Sequence, residues 1–477
     1  MKSMKPKMPM LTASRRITVP GLVLFALIVL SVLSLRGPPN ARLLSHTPSF
    51  SSSPPENEPD YWTWDTVSRF RPSPSGAPAK DACAAFPTEL LSRVQVVLKI
   101  GASEPRDRIE TQLATVTRCI SNLIIVSDRD EQIQSHHAHD VIGSLPVSYH
   151  INNTDFDAYE TLSRNTQQSK IDGAQGWRLD RFKFLPMVER AYEINPSAKW
   201  FVFLESDTFL FWDNLFRLLD HYNPDAPVYM GSPSPGSRDK DETTWFAYGG
   251  AGFVISTAAV QKLVHRESGP YGEYTSPSLS ERYEDMVRGD CCGDSVLGWA
   301  LYQAGVKLTG LWPMFNPHAL HGIPFDDAYW CQPVITLHKS LLKDLEGLSE
   351  FALKWNRKEP ILYSDLLDYL QLGTFSQRTE WDNGDWGGWQ EPDSPGHASM
   401  EACKAACHDH PTCLQYTYDS SGHCVFVGTV RLGGAKKALP DGSRLSSGWD
   451  VQKIAAWRKA RECEKPLWMK PSITRIF

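Results

Sequence analysis

Residues 200–232 read WFVFLESDTFLFWDNLFRLLDHYNPDAPVYMGS. The first five are apolar, and Lys199 to Leu204 predicts a buried strand. That strand runs directly into Glu205-Ser206-Asp207. Acids at the end of a buried strand are costly unless something cationic sits beside them. Two carboxylates separated by one residue point the same way if the extended geometry continues. Such a pair suits a hard divalent ion that also takes oxygens from a diphosphate. A strand ending in a turn with solvated acids is the plainer alternative. The run around Trp212 to His221 predicts a helix.

Working outward, Val94 to Ile100 (VQVVLKI) is a second buried strand bounded by Gly101. Arg106 to Cys119 predicts a helix, and Asn122 to Val126 a third strand ending at Ser127-Asp128. Strand, helix and strand at this spacing imply a βαβ unit and a parallel sheet. Ligands of such sheets bind beyond the C-terminal strand ends, where Asp128 falls. Leu179 to Ile194 predicts a helix disturbed near Pro186. Gly249, Gly250 and Gly252 permit close backbone approach to a ligand, or mark a tight turn before Phe253-Val254-Ile255. Asp294 precedes an apolar run and reads either as a general base or as a helix N-cap. Trp245 and Tyr248 suit stacking on a sugar or a place in the core. Glu284-Asp285 reads as a solvated loop.

The chain has 477 residues, a net charge of −6, 41% hydrophobic and 22% charged residues. This is globular composition, and it gives no support to a nucleic-acid partner. Residues 1–16 form a basic tail. Ile17 to Leu35 carries no charge and, as a helix, would span about 28 Å, close to the ~30 Å hydrocarbon core. The preceding basic residues keep the N-terminus cytosolic. A cleaved signal peptide would have a shorter apolar region and a small-residue cleavage site. The expectation is a single-pass type II signal anchor in the Golgi membrane, with everything after it lumenal. Residues 36–90 are Pro/Ser-rich and read as a stem, interrupted by Tyr61-Trp62-Thr63-Trp64. Asn152-Asn153-Thr154 is a glycosylation sequon.

After residue 376 the composition shifts. Cys403, Cys407, Cys413 and Cys424 fall within a short stretch, and Met400 to His408 predicts a helix. In a lumenal segment these cysteines read as two disulfides, with a zinc site as the rival. The pairing of Cys83, Cys119, Cys291, Cys292, Cys331 and Cys463 stays open.

Four segments now stand in order: the strand entering Glu205-Ser206-Asp207-Thr208, the run YGGAGFVIST at 248–257, Cys291 to Gly298 (CCGDSVLG), and Phe315-Asn316-Pro317-His318. The ordered set resembles the fringe and core-1 β1,3-galactosyltransferase group, glycosyltransferase family 31, in a fungal-type arrangement. The resemblance covers roughly 290 residues. It implies a GT-A fold over residues 91–375: α/β, Rossmann-like, with a mostly parallel sheet. It implies a UDP-sugar donor, Mn²⁺ or another divalent cation, a glycan or glycoprotein acceptor, and inverting transfer of a hexose. Galactose in β1,3 linkage is the expected product. Carried onto this sequence, Asp207 and His318 are metal ligands and Asp294 is the base. Asp128, Lys183, Glu205, Ser206, Gly249, Gly250 and Gly252 lie at the nucleotide sugar, Lys183 lending a charge to a phosphate. His321 and His338 compete with His318. The family has three acids where this chain has Glu-Ser-Asp, which puts the metal in question.

The segment SMEACKAACHDHPTCLQYTYDSSGHCVF resembles a PAN/apple module, a small α+β unit over residues 376–451, followed by a tail at 452–477. That resemblance implies Cys403–Cys424 and Cys407–Cys413 pairing. Two alternatives to the galactosyltransferase follow: a catalytically weak relative that binds glycans through this module, and a GlcNAc or glucosyl transferase of the same fold.

Overall fold

A computed structural model describes residues 67–71, 83–164, 171–355, 358–372, 374, 376–385 and 387–474. All of them belong to one compact unit, Pro59–Phe477. The expected basic tail, the anchor at 17–35 and the stem up to residue 66 lie outside the described residues. Among the described residues no helix is long and apolar enough to cross a membrane.

The centre is an eight-stranded sheet. Its strands are β1 (Val94–Lys99), β2 (Ile124–Ser127), β3 (Glu131–Ile133), β4 (His136–Asp140) and β5 (Trp200–Glu205). After the short β6 (Phe209–Leu210) come β7 (Tyr229–Gly231), the hairpin β8 (Pro233–Asp239) and β9 (Glu242–Ala247), β10 (Phe253–Ser256) and β11 (Leu308–Gly310). The order is β11-β7-β10-β5-β1-β2-β4-β3. β4, β2, β1 and β5 run parallel. β10 is antiparallel between β5 and β7. β1 is buried along its whole length and β5 along all but its last residue, so helices cover both faces. The sheet is a mixed α/β architecture with a parallel centre, as the strand–helix–strand spacing implies.

Parallel strands place their C-terminal ends on one edge. The ends of β1, β2 and β5 therefore bring Gly101, Asp128 and Glu205 together, and Lys99 pairs with Glu205 in register. Because β10 runs the other way, its entry turn, Gly249–Ala251, reaches the same edge. A small sheet of β12 (Phe315–Asn316), β13 (Thr336–Leu337) and β6 closes that side.

The expected helix over 179–194 is two helices, Gly173–Asp180 and Phe184–Ile194, joined by a 3₁₀ turn at Arg181–Lys183. Pro186 sits in the first turn of the second helix, where its missing N–H costs nothing. The break comes before it. Glu284-Asp285 is not a loop: it opens the helix Glu284–Gly289, and Glu284 pairs with Arg288 one turn on.

The C-terminal part holds β14 (Gln377–Thr379), β15 (Trp381–Asp382), β16 (Gly388–Trp389), β17 (Gln415–Asp419), β18 (His423–Val427), β19 (Gly434–Ala435) and β20 (Leu445–Trp449). Five of these form an antiparallel sheet, β14-β20-β17-β18-β16. The helix Met400–Asp409 packs on it, with Cys403–Cys424 and Cys407–Cys413 bonded. These cysteines, Tyr416 and Phe426 form a small core of their own. Yet Leu414, Val430, Trp449, Ile454 and Trp468 join the large cluster beneath the central sheet. Cys331–Cys463 ties the two parts covalently. The remaining cysteines pair as Cys83–Cys119 and as the adjacent Cys291–Cys292.

Candidate active site

At the common strand edge lies a largely buried ionic cluster. The Lys99 ammonium donates to Asp180, lies 3.1 Å from Glu205 Oε1, and sits over the Phe184 ring at 4.6 Å. Lys183, 1% exposed, donates to the Ile100 carbonyl at 2.9 Å and stands 3.0 Å from Asp128 and 3.6 Å from Asp180. Burial works to lower both lysines, but Asp180 with Glu205, and Asp128 with Asp180, overcome it and raise them. Burial likewise works to raise Asp180, and the two ammonium groups overcome it and lower it. Both lysines are therefore charged at any physiological pH.

The Lys183 ammonium thus has one hydrogen bond and two ion pairs within the protein, and the Asp128 carboxylate also accepts from Ala102 N at 2.7 Å. Both side chains are thus engaged with neighbouring protein groups. They brace the floor on which a ligand would sit.

Glu205 and Asp207 meet a histidine above this floor, and it is His338, not His318. Ligand atoms of Glu205, Asp207 and His338 all lie within 4.8 Å of one another. His338 Nε2 is 3.4 Å from Asp207 Oδ1 and 3.8 Å from Glu205 Oε2. His318 stands outside this group, and its backbone carbonyl accepts from His338 N. His338 follows β13, which pairs with β6 directly after the acidic turn, so the small sheet delivers it. The His338 Nδ1 is 3.3 Å from the Pro317 carbonyl, which orients the ring with Nε2 toward the acids. Tyr248, a sugar-stacking candidate, packs edge-on against that ring at 5.5 Å, and Trp245 is half-buried in β9.

The donor set fits a hard-to-borderline divalent cation: two carboxylates and one imidazole. The charge balance fits it too. Two ammonium groups, of Lys99 and Lys183, stand among the carboxyl groups of Glu104, Asp128, Asp180, Glu205 and Asp207. The glycines keep the space open. A Cβ on Gly250 would lie 2.3 Å from the His338 ring. Gly252 has φ +69, which a side chain would strain. Thr208 donates to the Gly250 carbonyl at 2.8 Å and pins the glycine turn to the acidic one.

Asp294 lies on the far side of that turn, 8% exposed. It is not the N-cap: Cys292 is, without a side-chain cap bond. Asp294 sits in the first turn of the helix Gly293–Gln303. Its Oδ2 accepts from Gly249 N at 2.8 Å and its Oδ1 from Ser295 N at 2.9 Å. Each oxygen keeps a further lone pair. Burial pushes this carboxyl up to about 6, with the Glu205 charge adding to the rise and the Gly249 hydrogen bond opposing it.

Ser206 is 2% exposed, and its hydroxyl donates to Glu104. Burial pushes the Glu104 carboxyl up, against the Ser206 hydrogen bond and the nearby Lys183 and Lys99 charges. Lys99, Glu104 and Asp180 were missed by the motif reading. Lys99 left a trace, as a charged residue ending an otherwise apolar strand. Asn152 is exposed in a turn with φ 52.

Residues 118–306 match the Fringe-like family model. This Fringe-like region is less than half of the chain. It contains Asp128, Lys183, Glu205, Asp207, the glycine turn and Asp294, but not Lys99, Glu104 or His338. Similar proteins include a fringe glycosyltransferase of Drosophila melanogaster, 34% identical over 106 residues, 20% of this chain and 25% of that one. A β-1,3-N-acetylglucosaminyltransferase manic fringe of Danio rerio is 33% identical over 22% of this chain and 30% of that one. A lunatic fringe of the same named activity from Xenopus laevis is 28% identical over 28% and 36%. The chain thus spans about a quarter to a third of the length of these curated relatives. A solved structure of a glycosyltransferase involved in the glycosylation of the major capsid of PBCV-1 aligns with 54% of this chain and 99% of that one. Its identity is 12% and its TM-score 0.23, too low for any argument to rest on it.

Proposed function

We propose that this protein is an inverting β1,3-glycosyltransferase that uses a UDP-sugar. The observation that carries the reading is the pairing of two sites across one glycine turn: Glu205, Asp207 and His338 on one side, the buried Asp294 carboxylate on the other. The first group suits a diphosphate held through a divalent cation, and the second suits a base.

Asp294 accepts the proton of the acceptor hydroxyl as that oxygen attacks, a contribution of about 10²–10⁴-fold. The hydrogen bonds from Gly249 and Ser295 aim its carboxylate. Lys99 holds one oxygen of Glu205 and leaves the other toward His338. Lys183, Asp128 and Asp180 keep the floor rigid. Glu205, Asp207 and His338 would hold a divalent cation, which would supply Lewis-acid stabilisation of the leaving diphosphate. Attack opposite the leaving group inverts an α-linked donor to a β-linkage. The named activity of the fringe relatives favours N-acetylglucosamine as the sugar over the galactose expected from the sequence.

The protein sits, in this reading, in the Golgi membrane as a type II protein, anchored by residues 17–35, with the described unit lumenal. Five disulfides support an oxidising compartment. The test is UDP release by the full chain from a secretory host, given UDP-GlcNAc, UDP-galactose or UDP-glucose, glycan acceptors and Mn²⁺. Release from one sugar that Asp207→Ala abolishes is the expected result. Silence with every donor and acceptor, in folded protein, would leave the glycan-binding alternative standing instead.

A further inference from the structure

We propose that Glu104 supplies the carboxyl group that the Glu205-Ser206-Asp207 triplet lacks at its middle position, and acts as the positioning residue for the two flanking acids. The kinetic side of this rests on the glycosyl-transfer reading.

The triplet is a turn at the end of β5. Its outer members, Glu205 and Asp207, converge with His338, while Ser206 between them is buried. There the hydroxyl donates to Glu104 Oε2, and Glu104 Oε1 accepts from Gly101 N at 2.7 Å. Glu104 belongs to the segment after β1, the parallel neighbour of β5, whose Lys99 is in register with Glu205. One carboxyl group therefore ties together the two adjacent strand-end loops. A hydroxyl bonded to a carboxylate is a strong, directional contact. It anchors the turn that carries Glu205 and Asp207 to the loop after β1. The carboxyl group beside Ser206 comes from a loop 102 residues earlier in the chain, outside the Fringe-like region.

The geometry has room for one carboxyl group shared between positions 104 and 206. That allows a charge exchange. Ser206→Asp alone sets two carboxyl groups against each other. Adding Glu104→Gln leaves one carboxyl, now at 206, facing an amide donor at 104. The full chain is prepared as wild type, Glu104→Gln, Ser206→Asp, the double variant and Ser206→Thr, which keeps the hydroxyl. UDP binding in the presence of Mn²⁺ is measured by calorimetry, with melting temperature and with donor KM and kcat.

Glu104→Gln and Ser206→Asp are each expected to weaken UDP–Mn²⁺ binding and raise donor KM by about tenfold or more, the loss of one charge-assisted hydrogen bond. The double variant recovers to within about threefold of wild type, and Ser206→Thr stays there, on the same ground. If Ser206→Asp does not fold, folding of the double variant supports the proposal, and its failure to fold overturns it. A double variant no better than Ser206→Asp overturns it. So does a Glu104→Gln that melts lower while KM and UDP binding stay unchanged, since that is a merely structural residue. Recovery of UDP binding without turnover of any UDP-sugar would sink the transfer reading while leaving this one intact.

Discussion

Asp294 is the residue whose ionisation sets the expected pH behaviour. Its carboxyl is pushed up to about 6 by burial first. Protonated, it cannot accept the acceptor's proton, so kcat should fall as pH drops through about 6. The sign for stability is opposite. A carboxyl raised above its unfolded value favours folding most below that unfolded value, and this contribution is lost as pH rises through about 6. Asp294→Asn should therefore cost about 10²–10⁴ in rate with little change in melting temperature at neutral pH. Removing a buried charge offsets one of its two accepted hydrogen bonds. A rate profile flat from pH 5 to 8 would remove Asp294 as the base. His338 gives the second prediction at this scale. Replacing it with alanine should raise the Mn²⁺ needed for half-maximal rate by at least about tenfold, and His318→Ala should not. Titration of Mn²⁺ against rate in both variants checks this. The Glu-Ser-Asp triplet, the glycine turn and Asp294 were legible as positions because each borders an apolar run, while the role of Asp294 came from the resemblance. The choice between His318 and His338 was not, because a lone histidine carries no periodicity.

The elements that matter are two turns held face to face, Glu205–Thr208 and Gly249–Gly252. The Thr208 hydroxyl on the Gly250 carbonyl joins them, and Gly250 backs onto the His338 ring. A Cβ there would fall 2.3 Å from ring atoms. Gly250→Ala should cost about 1–3 kcal/mol as an overpacked site and weaken Mn²⁺ dependence by displacing His338. Urea unfolding and a Mn²⁺ titration check both. A Gly250→Ala protein with wild-type metal dependence would mean the imidazole is not a ligand. The strands and helices that carry these turns were readable from apolar periodicity. The break at Arg181–Lys183 was not, because Pro186 drew attention to a position where a helix start tolerates it. That break matters: it turns Asp180 and Lys183 toward the same floor.

At the scale of the molecule, the C-terminal part is both a disulfide-bonded sheet and a wall of the main core. Trp449, Ile454 and Trp468 pack into the cluster that also holds Trp330 and Tyr363. The Trp330 indole donates to the Arg461 carbonyl, and Cys331–Cys463 lies beside it. Ending the chain after residue 375 should therefore expose apolar surface and leave little secreted, soluble protein. Secretion of a truncated chain with the wild-type melting temperature would contradict the continuous core. The sequence by itself determined the α/β class, the strand–helix–strand unit at the centre of the sheet, the acidic turn, the glycine turn and the cysteine-rich end. Those signals are local, since burial imposes periodicity and turns impose residue types. Only the tertiary structure decided that His338 joins the acids, that Lys183 pairs with Asp128, and that Glu104 reaches Ser206. These contacts join residues far apart in the chain. They exist because parallel strands gather their ends on one edge and an antiparallel neighbour returns a turn to it. No single stretch of sequence records that meeting.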